Sequence, residues 1–406
     1  MSLDFKVCTI GDLGNIFSGG TPSTKIKEYW NGNLNWLSSG ETRNTYIYTT
    51  EKFITKDGAD NSSTKLANKG DIVIASAGQG FTRGQSSMLM IDTYVNQSVI
   101  VIHPNDKINN FYLLYNLKFR YPELRQLSDH ASTRGSLTTK IIKGLKINLP
   151  DLNTQNKIAN IIQYFDKKIE TNKKINNNFE KILKTLYNNC FEKFAIYDKE
   201  KGFKEDKDFG QIPKEWSVKS LEDYVNFITG VEPGSKNYYE NKLPNTIPFI
   251  RVGDLSSRDN LVYIDKNLSK NKILEFEDIV LSLDATIGIV KMGLIGSYST
   301  GMRKLVIKNK DINKAFLYCL VKSDRIQRTL ETFATGTTIL HAGKSIKHMK
   351  FLLPDKETMQ KFNEIGQPIL LKILENQKEI EKLTKLRDIL LPKLMSGEID
   401  ISKINI

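Results

Sequence analysis

The sequence predicts an α+β protein built twice over, with two globular domains that are each followed by a long helix. Three observations carry this. An ordered series of segments in the first half returns in the second. Short β-branched runs alternate with Gly/Ser/Thr/Asn loops. Two heptad tracts open at matching Leu-Pro-Asp triplets.

The repeat comes first. "IGDLGNIFSGGTP" (from Ile10) answers "LEDYVNFITGVEP" (from Leu221), with Asp12 facing Asp223, Gly19 facing Gly230 and Pro22 facing Pro233. "WLSSGE" (from Trp36) then answers "FIRVGD" (from Phe249), and "GDIVIAS" (from Gly70) answers "EDIVLSL" (from Glu277). "YLLYNL" (from Tyr112) matches "FLYCLV" (from Phe316), and "INLPDLNTQNKI" (from Ile147) matches "FLLPDKETMQKF" (from Phe351). Ordered matches spaced by roughly 200 residues describe a duplicated unit with a few loop insertions, hence paired domains and not a solenoid. The expected divisions are 1–150, a helix over 151–195, a charged linker over 196–212, a second domain over 213–353, a second helix over 354–392, and a tail over 393–406 packing on the helical scaffold.

Within the first domain "DIVIAS" and "SVIVIHP" read as strands and 109–127 as an amphipathic helix; "DIVLSL", "KLVIKN" and 312–331 are the second set. Pro150 and Pro354 end the preceding strand, and the polar residues from Asp151 to Thr154 offer helix caps. Heptads follow. Ile158, Phe165, Asn172, Phe179 and Leu186 fall seven apart, flanked by Ile162, Ile169 and Leu183; the second tract has Phe362, Ile369, Asn376, Leu383 and Leu390, flanked by Ile373 and Ile380. Asn172 and Asn376 both stand third of five, where a buried Asn fixes coiled-coil register. A long amphipathic helix lying on a globular core would show the same stripe, and Gly366 and Pro368 weaken the start of the second tract. Each rod of roughly 35 residues would span about 50 Å.

Lys and Arg total 59 against 46 acidic residues, a formal +13. Such a field favours polyanions such as nucleic acid or anionic membrane surfaces, although a Lys-rich composition without a target would look alike. No apolar run approaches the roughly 18 residues of a membrane span. The N-terminus lacks the pattern of a secretory signal, so a cytoplasmic location is expected. Cys8, Cys190 and Cys319 are scattered, and with four histidines they form no metal-ligand spacing.

The chemistry of enzymes is missing from the pattern. "HAGKS" (from His341) lacks the upstream glycine of a phosphate-binding loop, and "GQGFTRG" (from Gly78) is not a dinucleotide fingerprint. No Pro-Pro pair occurs, so the (Asp/Asn)-Pro-Pro-(Tyr/Phe) motif of amino-methyltransferases is absent. Pro150-Asp151 with Glu205 and Lys207 echoes a nuclease site, but helix-start chemistry explains it. His103, His130, His341 and His348 fall in no catalytic grouping. No catalytic residue, metal or cofactor is expected on this chain.

The loops offer hydrogen-bonding side chains on Gly-rich turns instead, suited to base edges and phosphates. In the first copy the candidates are Ser18, Thr21, Ser23, Lys25, Ser38, Gln79, Thr82, Arg83, Gln85 and Arg134. In the second they are Lys236, Arg251, Arg258, Asp284, Thr286, Tyr298, Thr300, Arg303, Thr337 and Lys344. Any one of these is more readily a plain turn residue than a contact; recurrence at matching places in both copies is what singles out the set.

The joint pattern resembles the specificity subunit of type I restriction–modification enzymes. The signposts are "LPDLNTQNKIANII" and "LLPDKETMQKF" opening the helices, Gly210-x-Ile212-Pro213-x-x-Trp216 opening the second unit, and "LLPKLMSGEI" (Leu390 to Ile399) near the end. The first unit departs from this by lacking a Gly-x-Ile-Pro-x-x-Trp opening. The resemblance covers essentially the whole chain. It implies two target-recognition domains, each reading half of a bipartite double-stranded DNA site, and two helices packed as an antiparallel coiled-coil spacer in a pseudo-twofold repeat. It further implies docking of two modification subunits that hold S-adenosylmethionine and methylate adenine, with restriction/translocase subunits joining. A coiled-coil adaptor binding nucleic acid nonspecifically is the alternative from the residues themselves; a standalone methyltransferase is disfavoured by the missing motif.

Overall fold

Each globular part begins and ends on one short antiparallel pairing, which closes the domain before the helix departs. Lys6–Thr9 pairs with Lys146–Leu149, and Ser217–Ser220 pairs with Lys350–Leu353. The computed structural model describes residues 5–78, 80–131, 135–256, 261–336, 340–399 and 401. The chain divides into two compact units, Met1–Lys168 with Leu383–Ile406 and, second, Ile169–Lys382. Among the described residues no helix is long and apolar enough to cross a membrane.

In the first unit one sheet has the strand order Gly14–Ser18, Val99–Pro104, Ile72–Ala75, Ser86–Leu89, Tyr46–Ile47, and another has Lys52–Ile54, Trp30–Leu37, Thr93–Val95, Lys65–Ala67. Ile72–Ala75 and the residues from Val99 to Ile102 are apolar and buried at every position because both faces are covered. Ile72, Ile74, Ile100 and Ile102 pack with Leu113 and Leu117 of the following helix, while Val73, Val99 and Val101 enter a separate cluster with Leu37. The second unit repeats the order without a counterpart of Tyr46–Ile47 among the described residues. Val225–Thr229, Met302–Ile307, Ile279–Ser282 and Val290–Lys291 form one sheet; Val262–Asp265, Thr246–Ile250, Gly296–Tyr298 and Ile273–Leu274 form the other. Each expected domain helix is two: Asn110–Phe119 with Tyr121–Ala131, and Lys314–Lys322 with Asp324–Thr332. Asn109 and Asn313 cap the first of each pair by accepting the N–H three residues on.

The long helices start identically. Asp151 accepts the Thr154 N–H at 3.0 Å and its hydroxyl at 2.7 Å; Asp355 accepts the same groups of Thr358 at 2.9 and 2.7 Å. Asp355 also accepts the Trp216 indole N–H at 2.9 Å, so the Trp of the second opening motif is a clasp on the helix cap. The Trp216 ring is fully buried among Phe191, Phe194 and Tyr197. The first helix runs Leu152–Tyr187 and continues in a π-helical turn to Glu192. The second runs Lys356–Ser396 without interruption at Gly366 or Pro368. The segment expected as a linker holds an antiparallel hairpin, Phe203–Asp206 with Gly210–Pro213. Past the second helix, Ile401 joins Leu394 and Met395 in the core of the first unit.

The two matched asparagines do not bond to each other: Asn376 pairs one turn along, with Asn176. Asn172 and Asn376 are both buried, but Asn376 donates to Asn176 Oδ1 at 2.9 Å, while Asn172 donates to Glu379 Oε2 at 2.7 Å. Asn176 in turn donates to the Ile373 carbonyl at 3.0 Å. The reason is the seam itself. The buried series along the first helix is Ile162, Ile169, Asn176, Leu183, with Asn172 on its flank, whereas Phe165, Phe179 and Leu186 are only half-buried.

Burial works to raise the Asp355 pKa, but the bonds from Thr358 and Trp216 outweigh it and hold the carboxyl below its ordinary value. Its contribution is therefore present above the ordinary carboxylate pKa of about 4 and is lost as pH falls through the depressed value. Asp355→Ala should cost about 1–3 kcal/mol at neutral pH, through the lost cap and an unpaired indole N–H. Below about pH 4 its stability should fall less steeply than that of the native chain, as measured by urea unfolding across pH.

Candidate nucleic-acid interface

Antiparallel pairing places the end of one strand beside the start of its neighbour, and one parallel pair in each unit ends together (Leu37 beside Val95, Ile250 beside Tyr298), so a set of loops far apart in sequence collects at one end of each domain. In the first unit four backbone bonds stitch them: Gly20 N–H to Val95 O (3.1 Å), Asn96 N–H to Leu37 O (3.1 Å), Ser76 N–H to Ser98 O (2.9 Å) and Leu137 N–H to Ser76 O (2.9 Å). The second unit makes the same four at matching places: Val231 to Tyr298 (2.8 Å), Ser299 to Ile250 (2.9 Å), Leu283 to Gly301 (2.8 Å) and Ala342 to Leu283 (2.7 Å). The matched glycines belong to this stitching. A Cβ on Gly19 would collide with the Val95 carbonyl oxygen, and one on Gly230 with that of Tyr298. Only glycine lets the backbones approach so closely.

Helix side chains brace the clusters in parallel fashion. Arg125 donates to the Gly80 carbonyl at 2.9 Å, and Gln327 to the Gly288 carbonyl at 3.1 Å. Arg83 ties two loops of the first unit, bonding the Gly135 carbonyl at 3.1 Å and the Asp129 carboxylate. In the second unit Asp284 Oδ1 meets His341 Nδ1 at 2.8 Å. Among the described residues no group of three or more His, Cys, Asp or Glu side chains is placed to hold a metal ion.

The family model described as "Type I restriction modification DNA specificity domain" matches residues 2–181 and again 213–389. The MjaIX specificity subunit of Methanocaldococcus jannaschii is 32% identical over 99% of this chain and 95% of its own. The chain belongs to the type I restriction–modification DNA specificity family. The HindI specificity subunit of Haemophilus influenzae is 25% identical over 90% of this chain and 94% of its own. The crystal structure of an S subunit from M. genitalium has the same fold, with a TM-score of 0.60 at 17% identity over 97% of this chain and 96% of that one.

The candidate contact residues of this specificity chain divide by what their side chains already do. Ser23, Lys25, Lys236, Thr286 and Lys344 are exposed on or beside the loop clusters. Ser18 and Gln85 are half-buried, and Thr21 is bonded to Gln97 at 2.5 Å. Ser38 is spent in a capping box with Glu41. Arg251 holds both Asp254 carboxylate oxygens at 3.0 Å, bonds that raise its pKa, and Arg303 donates to the Thr300 and Met302 carbonyls at 2.5 and 2.9 Å. Burial lowers the Arg303 pKa. Thr82 is buried, and Tyr298 needs correcting outright: it is fully buried, bonds the Ile228 carbonyl at 3.1 Å, and has its pKa pushed up to about 12 by burial. Tyr298 serves the core. Gln79, Arg134, Arg258 and Thr337 lie outside the described residues.

Sequence reasoning missed Arg125, Gln327 and His341 as parts of the specificity loops. The first two were hidden because a helix residue gives no sign of bracing a loop about 40 residues away. His341 carries no local signal, because its partner Asp284 lies 57 residues upstream. Lys344→Glu should weaken DNA binding by the assembled complex roughly fivefold, with a shallower salt dependence. Tyr298→Phe should cost about 1 kcal/mol of stability and leave DNA affinity unchanged, as read by gel shift and thermal unfolding.

Proposed function

We propose that this chain is the non-catalytic recognition subunit of a type I restriction–modification complex, working in the cytoplasm on double-stranded DNA. Residues 1–150 read one half of a bipartite site and residues 213–353 the other. The observation that carries this is the repeated loop cluster: two copies of one backbone arrangement, bearing different side chains, suit two half-sites of different sequence. The formal charge of +13 supplies the sequence-independent attraction to phosphates.

The long helices pack as an antiparallel coiled coil that sets the separation of the half-sites. Support comes from the heptad-spaced buried series and from bonds whose partners descend one helix as they ascend the other, Asn172 with Glu379 and Asn176 with Ile373. Exposed apolar side chains remain on the helices, Tyr164 and Ile389 in the first unit and Ile182 and Ile365 in the second. These suit the docking of two modification subunits. S-adenosylmethionine is held by those partners and no cofactor by this chain; restriction/translocase subunits complete the assembly.

Division of labour is testable by exchange. Replacing residues 213–353 with the corresponding domain of another specificity subunit should change one half of the methylated recognition sequence and leave the other intact. Methylation-site sequencing in cells expressing the complex reads this out. A change in both halves together, or in neither, would place base readout elsewhere.

A further inference from the structure

The Asp284–His341 pair stands out among the loop side chains because the placement of its ring is set in advance by backbone and carboxylate. His341 is held on both sides by backbone: its N–H donates to Thr335 O at 2.8 Å, its carbonyl accepts the Thr335 N–H at 3.0 Å, and it bridges to Asp284. Its neighbours are fixed likewise, Ala285 N–H to Leu340 O at 2.9 Å and Ala342 N–H to Leu283 O at 2.7 Å. The ring is nevertheless 59% exposed. It is thus an exposed imidazole held in place by main-chain bonds at the loop end of the second unit, with Nδ1 on Asp284.

That tether bears on what the other nitrogen offers. A carboxylate only accepts, so the tautomer that suits the Asp284 Oδ1 contact at 2.8 Å carries its proton on Nδ1. In the neutral ring Nε2 then carries a lone pair and no proton. Such a group repels phosphate oxygens and the acceptor atoms of guanine and thymine. It matches the exocyclic amino groups of adenine (N6) and cytosine (N4), the hydrogen-bond donors that bases present in the major groove. We infer that His341, oriented by Asp284, is a specificity-determining residue that reads one exocyclic amino group, adenine N6 or cytosine N4, in the half-site of the second domain. This rests on the reading that residues 213–353 contact one half-site. A pair that merely braced two loops would affect stability and leave the recognised sequence alone.

The test uses the full chain in its assembled modification complex at mildly alkaline pH. His341→Ala should leave the first half-site intact and relax one base pair of the second in methylation-site sequencing. Gel shifts on the native site should then locate the group: removing the amino group of that base (purine for adenine, 2-pyrimidinone for cytosine) should weaken the native complex about tenfold and the variant complex hardly at all. Asp284→Asn keeps the hydrogen-bonding shape but allows the other tautomer. It should reduce discrimination at the same base pair, and it carries the test should His341→Ala fail to assemble. An unchanged motif in both variants, or an equal amino-group penalty in native and variant complexes, overturns the inference. Failure of the underlying reading looks different: the domain exchange would then alter both half-sites or neither, whatever His341 does.

Discussion

A buried amide finds its partners at one register only, and the Asn176–Asn376 bond imposes that condition on the two long helices. With Asn172 on Glu379 and Asn176 also on the Ile373 carbonyl, three polar groups are satisfied together. A slip of one heptad would bury them unpaired at a cost of roughly 1–3 kcal/mol each. Leu183 and Tyr187 of the first helix and Phe362 and Leu370 of the second share one core of the second unit, so their packing holds only while this register holds. Apolar contacts supply most of the stability of such a seam, but they tolerate sliding; the amides do not.

The two units show how one scaffold carries two readers. What repeats is the backbone: the closing strand pair, the capped helix start, the close approach at Gly19 and Gly230, and the four loop-to-loop bonds. What differs is the side chains standing on that frame. Arg83 locks its loops to Gly135 and Asp129 in one unit, and Asp284 with His341 does so in the other. Loops tied by main-chain bonds tolerate exchange of their exposed side chains, because folding does not depend on them.

Much of the frame was legible in the sequence because it rests on local chemistry. Pro-Asp-x-x-Thr is a cap wherever a helix follows, and the matched glycines lie where two copies of one motif share a steric demand. The pairing of Asn376 with Asn176 is not legible because two heptad series run side by side, and Asn176 lies in an Asn-Asn-Asn run that gives no local preference among its members. The loop residues were harder. Arg251 has its acidic partner three residues on, within reach of sequence reasoning, while Tyr298 looks like a loop tyrosine until the strand Gly296–Tyr298 buries it. Contacts between distant segments, such as Asp284 with His341, are set by strand order, which no local pattern encodes.

The claim that the helices measure the distance between half-sites is tested most directly by changing their length in phase. Deleting one heptad from each helix keeps the apolar seam aligned and shortens the pair by about 10 Å, roughly three base-pair steps. Methylation-site sequencing of cells carrying the shortened chain should return both half-sites unchanged, with about three fewer unspecified base pairs between them. Retention of the original spacing by an assembled, active complex would contradict the account.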